Sequence, residues 1–507
     1  MTNHSRRDSL NVIVVLLDTL RADHLSCYGA GRRTSPNLDR IASQATLFEK
    51  AISPAAWTPP AHASLFTGTY PSRHRVDRSN LTLSADLQPL PEVLRRGGYR
   101  TYGVSSNYWL SRETSFDRGF DEFVHSWQLV QTAGTNAPLA RQQRKQDLGL
   151  GELGGPAETP SKYAQQANRL FEKATNKLRN RLQAYDDGAY RVVNQVKRWI
   201  PRWVREEQPF FAFLHFMEPH IRYSAPGQYH LKHVPKGVSA ERARQVNQDP
   251  WRFLTGQTEM TEEDFVILSA LYDGEISYLD SRIGQLHEML ERSGLLENTV
   301  VIFTSDHGEN LGEHGLMDHA YCLYDTLLNV PLIIQAPTEF TAGERISRPV
   351  QSADLFGTIL TLAGMDEDPV WDQVQARNSL LPAEVAKRNG AENYTLAEYR
   401  EPQPPLSVLR RRFEGFNGAY FDRSLRMART ETHKYIWSSD GHAELYDLTK
   451  DPGEEKNLVN IERDTAARLA GVIDEKLGTF EAPDAGDTGI DLDDDTLKKL
   501  EQLGYLA

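Results

Sequence analysis

Asn11-Val-Ile-Val-Val-Leu-Leu-Asp18 is an uninterrupted apolar run, mostly β-branched, closed by a carboxylate. A run of this kind, apolar on both faces, predicts a strand buried inside a parallel sheet. Similar runs recur at Thr101–Ser105, Phe210–Phe216, Thr299–Thr304 and Pro331–Gln335, all read as buried parallel strands. Helix-like segments at Thr34–Gln44, Pro89–Arg96 and Thr261–Ser293 alternate with them. The alternation predicts an α/β fold with helices on both faces of the sheet. Ligands of such sheets sit beyond the carboxyl ends of the strands, and Asp18 and Asp306 each fall just past a predicted strand end.

With 507 residues the chain is long enough for a large core and two domains. A net charge of −13 argues against broad nucleic-acid binding. It leaves an anionic substrate open, because a metal ion or local arginines can reverse the field in one cleft. The two cysteines, Cys27 and Cys322, make neither a disulfide framework nor a thiolate metal cluster. No segment approaches the roughly 20 apolar residues of a membrane span, so a cytoplasmic enzyme is the default expectation. Self-association is left open.

A catalytic domain is expected over residues 1–390, with a composition shift near Gln373–Gly390, and a C-terminal subdomain over 391–507. Residues 128–205 read as an insertion: a loop rich in Gln, Gly, Ala and Pro to about Pro160, then a charged helical excursion over Tyr163–Arg205. In the second region Tyr420–Arg429, Lys434–Ser438 and Ala443–Leu448 read as antiparallel strands and Ile461–Leu477 as a helix. The acidic run Asp491–Asp495 reads as the start of a final helix.

Three segments carry chemistry. Asp18 at a strand end is placed to hold a metal or to cap a helix. In Thr304-Ser-Asp-His-Gly308 the adjacent Asp306 and His307 follow an apolar strand. Their oxygen and imidazole donors suit a divalent cation such as Zn, Mn or Fe. In Ala55-Ala-Trp-Thr-Pro-Pro-Ala-His-Ala-Ser-Leu-Phe-Thr-Gly68, Thr58 stands immediately before a proline-initiated helix that Gly68 would close. The helix end is expected to offer unpaired N–H groups and partial positive charge to an anionic ester attacked by Thr58; the alternative is an ordinary Thr N-cap. His220, just beyond a strand after Pro219, and His319 are candidates to hold the ester or protonate a leaving group. His215 reads as a core histidine, and Glu309, Glu313 and His314 as loop or supporting residues.

Together these segments resemble the sulfatase family of the alkaline phosphatase superfamily. The resemblance runs through Asn11–Asp18, Thr34-Ser-Pro-Asn-Leu-Asp39, Ser64-Leu-Phe-Thr-Gly68, Tyr70-Pro-Ser-Arg73, Arg118-Gly-Phe-Asp121, Pro219-His220, Asp306-His-Gly308 and Val330-Pro-Leu332. It continues through Glu444-Leu-Tyr-Asp447, Asp451-Pro-Gly453, Asn457-Leu458 and Leu503-Gly-Tyr-Leu506. It implies a large, mixed, mostly parallel sheet sandwiched by helices and holding the site, plus a smaller C-terminal domain with a four-stranded antiparallel sheet and a helix. Sulfatases carry a Cys/Ser-x-Pro-Ser-Arg motif whose first residue becomes formylglycine. Here Thr58-Pro59-Pro60-Ala61-His62 stands in its place, so no formylglycine is expected. Thr19 and His307 replace a family Asp and Asn or Gln, and the set Asp, Thr, Asp, His looks more like the superfamily's phosphodiesterases, which use an unmodified Thr. Asn107 and His319 stand where sulfatases often place lysines.

The resulting expectation is a metal-dependent hydrolase of anionic esters: sulfate esters, phosphate mono- or diesters, or phosphonate esters. Asp18, Asp306 and His307 hold a divalent ion (Ca, Mn, Zn or Fe), Thr58 is the nucleophile, and His220 and His319 assist catalysis. Asn107 and His62 bind the ester, which is a small molecule or a saccharide. The alternatives are a catalytically silent sulfatase-like binding protein and a phosphoryl or sulfuryl transferase.

Overall fold

The opening apolar run forms strand β1 (Asn11–Leu17), buried from Val12 to Leu17. In this computed structural model, which describes residues 10–131, 186–376, 378–388 and 393–481, β1 has parallel partners on both sides. These are β5 (Phe210–Phe216) and β6 (Thr299–Thr304). The other main-sheet strands are β2 (Thr46–Ile52), β3 (Arg100–Ser105), β4 (Glu122–His125), β9 (Asn329–Gln335), β10 (Arg345–Ile346) and β11 (Val350–Gln351). Their order is β10-β2-β9-β6-β1-β5-β3-β4, with β11 also on β2. Helices lie on both faces. The longest of those described, Glu262–Arg292, starts at a capping box between Thr261 and Asp264.

One strand departs from expectation. β9, read from Pro331–Gln335 as parallel, runs antiparallel to both β6 and β2. An apolar run records burial on two faces but not direction. β2 escaped the sequence reading because its register shifts between Phe48 and Ala51, which sets Glu49 and Lys50 in the irregularity and breaks the apolar pattern. The helix expected over Tyr163–Arg205 is described only as Ala189–Trp203, and Gln128–Gln131 forms a single helical turn. Residues 132–185 of that insertion and the final helix expected near Asp491–Asp495 lie outside the described residues. Among the described residues no helix is long and apolar enough to cross a membrane.

A second, antiparallel sheet has the order β12-β13-β14-β15. Its strands are β12 (Thr395–Tyr399), β13 (Leu425–Arg429), β14 (His433–Ser438) and β15 (Glu444–Asp447), and the helix Arg463–Leu477 packs on one face. β13 begins later than predicted because Tyr420 sits in the short 3-10 turn Ala419–Phe421. β12, unread from the residues themselves, buries Glu398 against Arg426 at 3.1 Å. The other face of this sheet packs on Trp57, Tyr321 and Leu323. Between the two, β7 (Asn310–Leu311) and β8 (Met317–Asp318) form a small ribbon.

A buried ion network fastens the second sheet to the loop that carries His319. Lys434, fully buried on β14, lies 2.8 Å from Asp325 and 2.7 Å from Glu454, and Arg429 lies 3.1 Å from Asp325. Removing the ammonium would leave buried Glu454 without its cation and Asp325 with Arg429 alone. Lys434→Ala is therefore expected to lower stability by about 3–5 kcal/mol. Urea unfolding checks this, and a loss below about 1 kcal/mol would mean that the network does not anchor the loop.

Candidate functional site

Asp18 is the residue after β1. Its backbone N–H donates to Phe216 O at 3.0 Å, so the strand ladder continues under the side chain. The fully buried carboxylate accepts a hydrogen bond from Asn107 Nδ2 at 2.9 Å through Oδ2, which also lies 3.2 Å from His215 Nε2. Asp18 Oδ1 has no hydrogen-bond partner among the described residues. Asp306 lies two residues past β6. Its Oδ1 accepts from the N–H groups of His307 (3.0 Å) and Thr19 (3.3 Å), and its backbone oxygen accepts from Ser53 Oγ. Asp306 Oδ2 is likewise buried without a hydrogen-bond partner among the described residues.

His307 completes the set. Its Nδ1 lies 2.9 Å from Gly308 O, so the proton is assigned there and Nε2 presents a lone pair. That nitrogen is 3.3 Å from Asp306 Oδ2, 4.0 Å from Asp18 Oδ1 and 3.2 Å from Thr58 Oγ1. Burial, then the neighbouring His319, push His307 down to about 3, so it is neutral. Burial, then the charge of Asp18, push Asp306 up to about 6. Burial opposes ionisation of Asp18 too, but the contact with His215 and the facing imidazoles keep it well below the usual carboxylate range. Two unpartnered carboxylate oxygens and a neutral imidazole nitrogen thus face one another, within 4.8 Å. These donors fit a divalent cation, which would satisfy all three at once.

Thr58 is the first residue of the helix Thr58–Thr67, and Trp57 is the N-cap, so the threonine does not act as the cap. Gly68 closes the helix at φ 64°, where an added Cβ would come within 3.0 Å of Phe356. The expected cradle of free N–H groups is not formed. Pro59 and Pro60 have no N–H, and the Ala61 N–H is already bonded to Trp57 O at 3.2 Å. Only the Thr58 N–H and the helix dipole remain to favour an anion at this end.

His62 lies one turn further on. Its Nδ1 is 2.9 Å from Thr58 O and 3.6 Å from Asp306 Oδ2, and its ring packs against Phe66, Phe213 and His215. Burial pushes it down to about 4. Asn107 Oδ1 accepts from Trp109 N at 2.9 Å, so this residue braces Asp18 from the end of β3.

His319 lies above His307, with ring centroids 4.6 Å apart, and 5.1 Å from the His220 ring. Its Nδ1 is 2.6 Å from Asp318 Oδ1 and 3.4 Å from Glu309 Oε1. Burial works against charge here, but the two carboxylates outweigh it and hold His319 well above its usual range, as an imidazolium. Burial lowers His220, whose Nδ1 is 2.8 Å from Ile221 O. A small cavity beside them is lined by His220, Trp251, Asp318, His319, Gln403 and Pro404.

Sequence reasoning missed three of these groups. His215, read as a core histidine, touches Asp18; the signal was a titratable residue inside Phe211-Ala-Phe-Leu-His-Phe216. Glu309, read as a loop residue, is fully buried under His319. Asp318 gave no signal, because its contact with His319 depends on a left-handed backbone (φ 70°) at that residue.

Residues 10–365 match the family model described as Sulfatase, and residues 312–481 match that described as N-sulphoglucosamine sulphohydrolase, C-terminal. An uncharacterised sulfatase of Escherichia coli, YidJ, is 24% identical over 89% of this chain and 83% of its own length. An N-acetylglucosamine-6-O-sulfatase of Bacteroides thetaiotaomicron is 23% identical over 88% of this chain and 82% of its own. Among solved structures, the phosphonate monoester hydrolase of Silicibacter pomeroyi superposes with a TM-score of 0.65 at 22% identity, covering 92% of this chain and 94% of that one.

Because Asp306 must lose its proton to act as a ligand and holds it up to about pH 6, Mn²⁺ affinity is expected to be level above that pH. Below it, affinity should fall about tenfold per pH unit. Calorimetric titration with Mn²⁺ from about pH 8 to pH 5 checks this. A flat profile would remove Asp306 from the ligand set.

Proposed function

The chain belongs to the sulfatase family and is a hydrolase of sulfate or phosphate esters, and we propose that unmodified Thr58 is its nucleophile. The observation that carries this reading is the 3.2 Å approach of Thr58 Oγ1 to His307 Nε2, at the mouth of the Asp18, Asp306 and His307 set. These three side chains would hold a divalent cation. Bound there, it would lower the pKa of the threonine hydroxyl and draw charge from the ester oxygens.

Thr58 Oγ1 attacks the sulfur or phosphorus in line with the departing oxygen. The new ester bond forms as the bond to the leaving oxygen breaks. His319, whose Nδ1 is engaged by Asp318, donates from Nε2 to that oxygen. With the cation bound, Thr58 Oγ1 would release its proton to solvent before it attacks. Water then attacks the threonine ester, passing one proton to the neutral His319, and Thr58 departs as the same cation-stabilised alkoxide, ready for the next turnover. His220 binds the transferred group beside His319. Asn107 and His62, expected from sequence to bind the ester, act instead through their neighbours: Asn107 by holding Asp18, His62 by fixing the Thr58 carbonyl and bracing Asp306.

Charge selects the substrate. Asp18 and Asp306 offset one divalent cation, and Asp318 offsets the His319 imidazolium. Arg21, nearby in sequence, is spent on Asp23 at 2.7 Å and Glu313 at 2.6 Å. Little positive charge is left for a dianion. A singly charged tetrahedral ester (a sulfate monoester, a phosphonate monoester or a phosphate diester) therefore suits the site better than a phosphate monoester. The sulfatases of saccharides among the relatives favour a sugar or another small alcohol as the esterified group.

Turnover of aryl sulfate, phosphodiester, phosphonate monoester and phosphate monoester by Mn²⁺-loaded protein tests the reading. Thr58→Ala should lose at least about 10³-fold on every substrate turned over, and the phosphate monoester should be the slowest. Thr58→Ala at wild-type rate would exclude the nucleophile, and wild-type silence on all four would favour a binding protein. His319→Ala should cost about 10²–10⁴-fold with an alkyl leaving group and far less with nitrophenolate, which departs without a proton.

A further inference from the structure

The cavity beside His220 and His319 has a wall that takes little part in the transfer itself. Asp318 ends the short strand β8, Trp251 belongs to the helix Pro250–Leu254, and Gln403 and Pro404 follow β12 of the second sheet. Each is held from behind. The side chain of Asp249 accepts from the N–H of Trp251 at 3.0 Å, and the indole packs edge-on to Tyr321. Gln403 donates its backbone N–H to the Tyr399 hydroxyl at 2.7 Å, and Pro404 O accepts from the Tyr321 hydroxyl at 2.9 Å. An entering group therefore meets a wall with little left to order.

The cavity is small, about 30 Å³, which is room for one small polar group. Its lining says which. Asp318 Oδ1 is already engaged by His319, through Nδ1 at 2.6 Å and through the backbone N–H at 2.8 Å. Oδ2 is the carboxylate oxygen left to accept from a ligand. The Gln403 amide can both donate and accept, and Trp251, Ala320 and Pro404 make the remaining surface apolar. Among the described residues no lysine or arginine lines the cavity, and the charges of Asp318 and His319 offset each other. A second anionic group would meet the Asp318 carboxylate with no cation to spare. A methyl group would exclude water and leave Asp318 Oδ2 bare, at the cost of a lost hydrogen bond to a charged group. An uncharged hydroxyl satisfies both polar side chains at once.

We propose that this cavity is a subsite for a hydroxyl on the carbon next to the esterified one, donating to Asp318 Oδ2 and accepting from the Gln403 amide. The substrates it selects are monoesters of vicinal diols, the arrangement carried by the ring carbons of a saccharide. The subsite rests on the reading that puts the leaving oxygen at His319 Nε2, but not on Thr58 as the nucleophile. Asp318 then serves two groups, one oxygen orienting the imidazolium and the other reading the neighbouring hydroxyl. Selection and proton donation are coupled through it, because a hydroxyl seated on Asp318 brings the esterified oxygen to the ring that protonates it.

The test is calorimetric titration of the Mn²⁺-loaded full chain carrying Thr58→Ala, so that binding is read without turnover. The probes are cyclohexyl sulfate and the stereoisomers of 2-hydroxycyclohexyl sulfate, which add only the one hydroxyl. At least one hydroxylated isomer is expected to bind about tenfold or more tighter than cyclohexyl sulfate. Adding Gln403→Ala should lower that ratio about threefold or more, and adding Ala320→Val, which fills the cavity, should bring it near one. Affinity for cyclohexyl sulfate should stay as it was, which also reports that the variants are folded. Equal binding of all probes by the parent, or a preference that survives both substitutions, would overturn the subsite and leave the ester-binding reading standing. Binding of no probe would overturn that reading, and the subsite with it. Hydrolysis of a probe by the Thr58→Ala chain would count against Thr58 alone, and the same ratio would then be read as kcat/KM.

Discussion

Two carboxylates pressed together out of water are the constraint that the rest of this molecule accommodates. Leu16 of β1 and Thr304 of β6 are register partners, and Asp18 and Asp306 each stand two residues beyond one of them. Adjacent parallel strands lie about 4.8 Å apart, so acidic residues at matching distances past their ends must meet. The strand order then supplies the supports. β5, on the other side of β1, brings His215 and His220, and β3 beyond it brings Asn107. Such a pair costs too much to bury unless an opposite charge joins it. The site is a consequence of the order β6-β1-β5-β3 more than of any local motif.

That origin explains how much could be read from sequence. That Asp18, Asp306 and His307 come together was legible because carboxylates just past the ends of two apolar strands that pair in parallel must lie side by side. The parallel core and the long capped helix were legible for the same reason, since burial on two faces and helical spacing leave strong patterns. The direction of β9 left no such mark. His215 was hidden because one polar residue in an apolar strand looks alike whether it packs in a core or braces a ligand. The partners of His319 were hidden because their contact is made by backbone turns.

The helix of Thr58 shows a different limit. The helix expected from its prolines and Gly68 forms, with Thr58 as its first residue, yet the same prolines remove the donors that such a start normally offers. Rigidity and anion binding, usually supplied together at a helix N-terminus, are separated here. On the reading proposed for Thr58, the negative charge of a bound ester would fall to side chains from elsewhere, chiefly the imidazolium of His319 and a cation held by the carboxylates. A threonine at the family's formylglycine position fits this division, because it needs a fixed hydroxyl beside a cation and no further modification.

The backbone around these groups is held in conformations that side-chain-bearing residues avoid. Thr19, directly after Asp18, has φ 58°, and Asp318 and Tyr321, on either side of His319, have φ 70° and 64°. Each costs on the order of 1–3 kcal/mol, and a β-branched threonine is among the least suited to it. The strain persists because both ends of each turn are tied. Thr19 donates through its N–H to Asp306 and accepts at its carbonyl from buried Tyr272, while Tyr321 bonds through its hydroxyl to Pro404. Relaxing Thr19 would swing Asp18 away from Asp306, and relaxing Asp318 would release the imidazolium. The stability of the two packed sheets is thus spent on holding like charges and strained turns where the chemistry needs them, which is why the second sheet, remote from the carboxylates, reaches the site through the loop that carries His319.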